Sequence, residues 1–259
     1  MRTSELEARM RALEYFHGLR LLPGAWPVVR VDGRSFTRLT GAHFAKPFDP
    51  LFHELMVGTA RALLEELQGV YAHTQSDEVS VLLPRATELF DRELEKLVSL
   101  SAAIATAAFT HAFGQGAQFD ARVWLGVDAP PVVDYFRWRQ ADAGRCALNG
   151  WCYWTLVKTG RSPRQASAAL LRQRSEAKHE LLFRHGVTFA AQPSWQRRGS
   201  GLYYSSYEKE GFNPRTGEAV RVQRRRIRVD GELPAGEEYA AMVRRLVGTP
   251  AIAPAAPRG

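Results

Sequence analysis

Cysteine is nearly absent from this chain of 259 residues, which has only Cys146 and Cys152. Two thiols at that spacing make neither a disulfide framework nor a CxxC zinc half-site. The scarcity suits a reducing compartment, and a cytoplasmic location is expected. Histidine brings no zinc site either, because His43, His73, His111, His179 and His185 lack metal-ligand spacing. Apolar runs approaching the roughly 18 residues of a membrane span are missing. The opening MRTSELEARMRALEYF is charged and amphipathic, without the apolar centre of a secretory signal. Neither secretion nor membrane insertion is therefore expected, and no internal repeat is visible. Acidic charge is also short: 35 Lys and Arg face 27 Asp and Glu, a net charge of +8. On a chain that is 45% apolar, that surplus describes a folded protein with a polyanionic partner.

Hydrophobic spacing lays out the elements. Residues 1–23 read as one helix closed by Pro23-Gly24, followed by a strand from Trp26 to Val31 that runs into Asp32-Gly33-Arg34. Asp49-Pro50 is an N-cap with proline at the first helical position, and Leu51, Leu55, Met56, Leu63 and Leu67 follow at helical intervals. Val70 to Leu83 reads as a hairpin whose tip, Thr74 to Glu78, carries acids. A helix from Thr87 to about Phe113, a strand from Phe119 to Leu125 and a long helix from Pro130-Pro131 to about Lys158 complete a β, α, β, β, α, β order. This order predicts an α+β fold, an antiparallel sheet covered on one face by helices. Ser162-Pro163 caps a further helix to Phe183, and Arg221 to Val229 is strand-like. The expected division is a catalytic domain at 1–135, a helical and basic C-terminal α/β extension packed on it at 136–248, and a disordered tail at 249–259.

Asp32 ends the first strand, and Asp77 and Glu78 stand at the hairpin tip. If those strands are neighbours, the carboxylates meet at one sheet edge and repel one another unless a cation sits between them. Hard oxygen ligands suit Mg²⁺, and paired Mg²⁺ ions are the usual apparatus of nucleotidyl transfer. Spacing alone equally fits an ordinary Asp-Gly turn and a solvated hairpin tip, since both sequences are common in turns.

The stretches VVRVDGRSF (28–36), HFAKPFDP (43–50), QSDEVSVLL (75–83), FDARVW (119–124), YFRWRQAD (135–142), CYWTLVK (152–158) and KHELLF (178–183) resemble successive motifs of the tRNA(His) guanylyltransferase family, in order and with similar gaps. The resemblance implies a ferredoxin-like, polymerase palm-like domain that adds nucleotides to tRNA 5′ ends in the 3′-to-5′ direction. It implies two Mg²⁺ ions, ATP and GTP or other NTPs as substrates, and a homotetramer. By the same resemblance, Asp32, the Gly33 carbonyl and Asp77 hold metal, with Glu78 beside them as a ligand or orienting group. Arg34, Ser35, Phe36, Thr37 and Ser76 look like the family's nucleotide contacts, although Thr37 stands where eukaryotic members carry His. Lys46 and Lys96 match cations that handle the triphosphate. Arg92, four residues before Lys96, shares its helical face in this reading and contacts RNA. Glu93 occupies a position where many members have a second Arg.

After Asp142, Gly144 to Gly150 replaces the His-Ile-Asn-Asn-Leu-Tyr-Asn block of eukaryotic members. That departure resembles the bacterial and archaeal guanylyltransferase-like proteins. Templated repair of 5′-truncated tRNA is therefore expected ahead of G−1 addition to tRNA(His). Further along, Arg224, Arg226 and Arg228 share one face of the last strand. With Lys178, Arg197 and Arg198 they suit contact with an RNA backbone. For Tyr203, Tyr204 and Tyr207, packing is the expected role ahead of base stacking. Two other classes are weighed: a palm-fold nucleotidyl cyclase, disfavoured by the basic C-terminal region, and a non-catalytic RNA-binding protein, which gives no reason for the converging acids.

Overall fold

The computed structural model describes residues 3–212 and 217–248. Six antiparallel strands form one sheet in the order β4-β1-β3-β2-β5-β6, where β1 is Trp26–Gly33, β2 Tyr71–Gln75, β3 Glu78–Leu82, β4 Phe119–Gly126, β5 Ser200–Phe212 and β6 Ala219–Asp230. The first four are the ferredoxin-like arrangement expected from the element order. Alternation along β1 sends Val29 and Val31 to one side and Val28 to the other. Helices α3 (Pro50–Glu66) and α4 (Leu94–Phe113) bury the first side. Helices α5 (Ala129–Lys158) and α9 (Gly236–Gly248) bury the second, where Val28 and Leu82 join Phe136 and Val243. Helices thus cover both faces of the sheet and not the one face expected from the element order, because α5 and α9 pack on the Val28 side; each fully buried Leu, Val or Phe stabilises it by roughly 1.5–3 kcal/mol.

The local signals act as their chemistry dictates. Asp49 accepts hydrogen bonds from the Leu51 and Phe52 amides at the start of α3, Gly114 takes the left-handed C-cap of α4, and Ser162 forms a capping box with Gln165. The first helix, however, stops early: α1 spans Thr3–Arg11, has no buried residue, and is followed by turns. Residues 89–92 are a tight 3₁₀ turn in which Phe90, Asp91 and Arg92 have positive φ, so α4 starts at Leu94 and not at Thr87. The helix expected from Ser162 to Phe183 is two, α6 (Pro163–Leu170) and α7 (Ser175–Arg184), with Arg172 at φ 59° between them. Helix α4 has the length and mean hydropathy of a membrane span, although Glu95, Lys96 and His111 interrupt its apolar positions. Here it lies on the sheet and buries Leu97, Ser101, Ala105 and Phe109.

The basic C-terminal region continues the sheet, because β5 pairs with β2 and carries β6 beside it. Residues 135 and 136, the expected domain junction, lie within α5. The tail at 249–259 lies outside the described residues.

Candidate functional site

The strand register brings the acids together. Asp32 on β1 stands opposite Glu78 on β3 and Asp120 on β4, and the Gly33 amide donates to the Asp77 carbonyl at 3.1 Å. Ser76 turns the hairpin with φ 55°, and its hydroxyl donates to Asp77 Oδ1 at 3.0 Å. Burial pushes the Asp77 pKa up, and the negative charge of Asp32 pushes it further. Among the described residues, no Lys, Arg or His nitrogen lies within 4.0 Å of either carboxylate. Two acids held at one edge without a cationic partner fit a divalent cation. Mg²⁺ typically uses one or two carboxylates and completes its shell with water and substrate phosphates. Among the described residues no three His, Cys, Asp or Glu are arranged to hold a metal ion by themselves, so this edge is no closed protein cage.

The turn after Asp32 explains its glycine differently from the sequence reading. A Cβ on Gly33 would lie 2.4 Å from the Phe36 ring. Phe36 itself is 2% exposed and packs on Phe119 and Phe109, with ring centroids 4.9 and 5.2 Å away. Its side chain is core and does not face a nucleotide, which corrects the expectation for that residue. Arg34, Ser35 and Thr37 are exposed. Ser35, at φ 62°, precedes helix α2 (Phe36–His43) and leaves its first amides without a side-chain cap, a geometry suited to phosphate oxygens.

Lys46 is half-buried and donates to Thr40 Oγ1 at 2.5 Å. Burial lowers its pKa, while the charges of Asp77 and then Asp49 oppose that shift. It helps to line a cleft with Ser76, Gln75, Phe48, His53 and Trp195. The His53 ring stacks on Trp195 at 4.2 Å, and Phe48 meets Trp195 edge-on. Burial drops the His53 pKa to about 4, which keeps the imidazole neutral at pH 7. A cleft with an aromatic wall, opening beside a lysine and the acid edge, has the chemistry to take a nucleobase with its phosphates at the rim. Sequence reading missed His53 and Trp195, which meet only through tertiary packing.

Glu78 is committed elsewhere. Arg139 grips it with Nε on Oε1 at 2.7 Å and Nη2 on Oε2 at 2.8 Å, and Arg30 lies 3.9 Å away. Arg139 takes one lone pair on each oxygen, an arrangement that suits Glu78 as the group that orients the hairpin tip. Arg139 belongs to the motif YFRWRQAD, but as a lone helical arginine it gave no sign of its partner.

The expected basic patch does not form as read. Arg92 is 5% exposed and donates to the carbonyls of Leu21, Leu22 and Thr87. Its left-handed turn faces it inward, off the α4 face that holds Lys96, and no RNA contact is open to it. Lys96 is half-exposed and pairs with Glu93 at 2.9 Å. Lys178 donates to Asn149 Oδ1 at 2.9 Å. Arg197 and Arg198 bond to the carbonyls of Gln192 and Leu233. Arg224, Arg226 and Arg228 are exposed and sit opposite Tyr207, Ser205 and Tyr203 on β5.

Residues 7–132 match the family model described as tRNAHis guanylyltransferase, and residues 131–232 match the Thg1 C terminal domain. Among relatives, tRNA(His) guanylyltransferase 2 of Arabidopsis thaliana is 34% identical over 77% of this chain and 39% of its own length. The chain therefore spans about two-fifths of that plant relative. The probable tRNA(His) guanylyltransferase of Dictyostelium discoideum is 35% identical over 71% of this chain and 77% of its own. A bacterial tRNA(His) guanylyltransferase-like protein, solved in complex with GTP, superposes with a TM-score of 0.75 and 26% identity over 95% of this chain and 100% of its own.

Proposed function

The chain belongs to the tRNA(His) guanylyltransferase family, and from that premise we propose that it transfers a nucleotide from an NTP to the 5′ end of tRNA, foremost G−1 addition to tRNA(His). One observation carries the reading: Asp32 and Asp77 meet without a cationic partner beside Lys46 and an aromatic-walled cleft. The relatives' names favour G−1 addition over the templated repair that the sequence put first. Repair is kept as a second reading for one reason, the match to a bacterial guanylyltransferase-like protein along nearly the whole of both chains. Residues 144–150, where the eukaryotic block is replaced, are simply continuous helix within α5, with Arg145 held by Asp142.

The Asp32 and Asp77 carboxylates and the Gly33 carbonyl would hold Mg²⁺. Bound there, the metal would supply neutralisation of phosphate charge and acidification of an attacking hydroxyl. An oxygen of the RNA 5′-monophosphate attacks the α-phosphorus of ATP, and pyrophosphate leaves. The 3′-hydroxyl of the incoming NTP then attacks the activated 5′-phosphorus, and AMP leaves. RNA with a 5′-triphosphate skips the first step. The chain supplies positioning and charge: Lys46 and the open amides of α2 meet phosphate oxygens, whereas Lys96, in the first turn of α4, lies at the end of that helix away from Phe113 and the Gly33–Phe119 pair that borders the acid edge. No protein nucleophile is needed.

Lys178, Arg197, Arg198 and the β6 arginines belong to the same proposal as RNA contacts. So does self-association, extending to a homotetramer, for which the exposed N-terminal Leu13, Tyr15 and Phe16 are apolar surface awaiting cover. The cytoplasm is the proposed compartment. Single-turnover extension with Mg²⁺ and labelled NTPs tests the reading on full-length tRNA(His) and on a non-histidine tRNA lacking its first nucleotide. G added to tRNA(His) alone supports guanylylation, and faster templated filling of the shortened tRNA supports repair. Pyrophosphate release without RNA would point to a cyclase, and no release at all to a binding protein.

A further inference from the structure

A second cleft, with a volume of about 560 Å³, opens between α5, helix α8 (Ser194–Arg198) and the start of α9. Trp138, Phe189, Tyr239, Arg137, Arg197 and Arg198 line it. Trp138 is 53% exposed, a large flat apolar face left in water. The Arg139 guanidinium lies over its ring, 4.4 Å from the centroid. Across the cleft, Arg197 and Arg198 satisfy one nitrogen each on a backbone carbonyl. Among the described residues, no carboxylate lies within 4.0 Å of either guanidinium. These are adjacent cations short of anions, facing an aromatic plate.

Both walls are fastened to the hairpin that carries Asp77. On the α8 side, Gln75 Nε2 donates to the Gln196 carbonyl at 2.6 Å, and His73 Nε2 donates to the Arg198 carbonyl at 2.8 Å. Gly199, at φ +78°, lets the chain approach β2 so closely that a Cβ there would lie 2.6 Å from the Thr74 carbonyl. On the α5 side, Arg139, the next residue after Trp138, grips Glu78. The cleft is therefore rigidly registered to the acid edge without being part of it.

We propose that this cleft holds one unpaired nucleotide of the RNA substrate, with its base on Trp138 and its phosphate on Arg197 and Arg198. Guanidinium forks suit phosphate oxygens, and an aromatic face stacks on any base. A base within a duplex is already stacked and cannot lie on Trp138. A free NTP offers the same base and phosphate chemistry, so the test separates the two sources. The inference rests on the reading of Asp32 and Asp77 as the place of transfer to RNA.

The experiment is fluorescence anisotropy on the full chain, titrated with a short single-stranded RNA, a blunt RNA duplex and labelled GTP. Trp138→Leu is expected to weaken single-strand binding about tenfold, the loss of one base stack, while Trp138→Phe keeps most of the affinity. The double variant R197Q/R198Q is expected to lower the salt dependence of single-strand binding by about one phosphate contact or two. In Trp138→Leu the duplex and GTP affinities stay unchanged, and thermal melting checks that each variant folds. Unchanged single-strand affinity in Trp138→Leu overturns the proposal, as does a loss confined to GTP, which would make the cleft a free-nucleotide site. A wild-type chain that transfers no nucleotide, yet loses single-strand binding in Trp138→Leu, sinks the transfer reading and supports the cleft.

Discussion

The Arg139 guanidinium and the Glu78 carboxylate form a two-pronged pair, 2.7 and 2.8 Å long, at the base of the turn that presents Asp77. The side chains are only 10% and 17% exposed, so removing one partner strands a charge in a poorly solvated place. Arg139→Met is expected to destabilise the protein by about 3 kcal/mol, whereas R139M/E78Q, which leaves no stranded charge, recovers most of that. Denaturant melts of the two single variants and the double variant give the coupling. A coupling near zero would mean that the pair is not formed in solution.

Asp77 bears the cost of the site. Its folded pKa is raised by burial and by Asp32, so the folded state binds more protons than the unfolded chain as pH rises above about 3.8, the ordinary value for Asp. Stability attributable to this residue is therefore lost as pH rises, and at neutral pH the ionised carboxylate is a burden. Asp77→Asn is expected to raise Tm at pH 7, with the gain fading toward pH 4, while nucleotide transfer is abolished. Added Mg²⁺ should raise the Tm of the wild type and leave that of the variant in place. A variant that melts lower at pH 7 and still responds to Mg²⁺ would remove Asp77 from the metal edge.

Legibility in the sequence followed the range of the interactions. The Asp49-Pro50 start of α3, the hairpin and its acids were readable because a cap, a turn and an alternating strand are written within a few residues of one another. Arg92 was misread for the opposite reason. Its partners, the Leu21 and Leu22 carbonyls, come from a distant segment, and the left-handed turn at 90–92 has no glycine to announce it. The burial of the Phe36 ring was equally illegible, because Phe109 and Phe119, which surround it, come from α4 and β4. The Arg139 partner, the His53–Trp195 stack and the place of the α8 arginines in one cleft with Trp138 depend on strand order and helix docking, which periodicity does not encode.

The Gly33–Phe36 contact makes the glycine a packing requirement. A methyl group 2.4 Å from the ring must displace Phe36 from the aromatic cluster, which costs about 1–3 kcal/mol. Gly33→Ala is expected to lower Tm and transfer together, and G33A/F36L to regain stability by making room. Chemical denaturation of the pair decides it. If Gly33→Ala is as stable as the wild type but inactive, the glycine serves the ligand approach alone.

Acid should loosen the junction between β2 and α8. His73 is 3% exposed, and burial drops its pKa to about 4 despite its bond to the Arg198 carbonyl. The unfolded chain takes up a proton near 6.5, the ordinary value for histidine, so it binds more protons than the folded state between there and pH 4. Stability is full above about pH 6.5 and is lost as pH falls, by up to roughly 3 kcal/mol for a shift of this size. His73→Gln is expected to flatten the fall in Tm between pH 6.5 and 4.5. An unchanged slope would place the acid sensitivity elsewhere.

The ribbon of β5 and β6 is expected to contribute affinity without discrimination. Arg226 lies over Tyr207 and Arg228 over Tyr203, with centroid distances of 5.5 and 6.0 Å, so the tyrosines fix the guanidinium planes while Arg224, Arg226 and Arg228 stay exposed. Cations ordered in a row on one strand face match successive backbone phosphates, and each neutralised phosphate releases counterions. Replacing all three with Gln should weaken every tRNA tested by a similar factor and reduce the slope of log affinity against log salt by about two to three. Transfer under saturating RNA should persist, because none of these side chains reaches the acid edge. A loss specific to tRNA(His), with the salt slope intact, would instead make this face a reader of sequence.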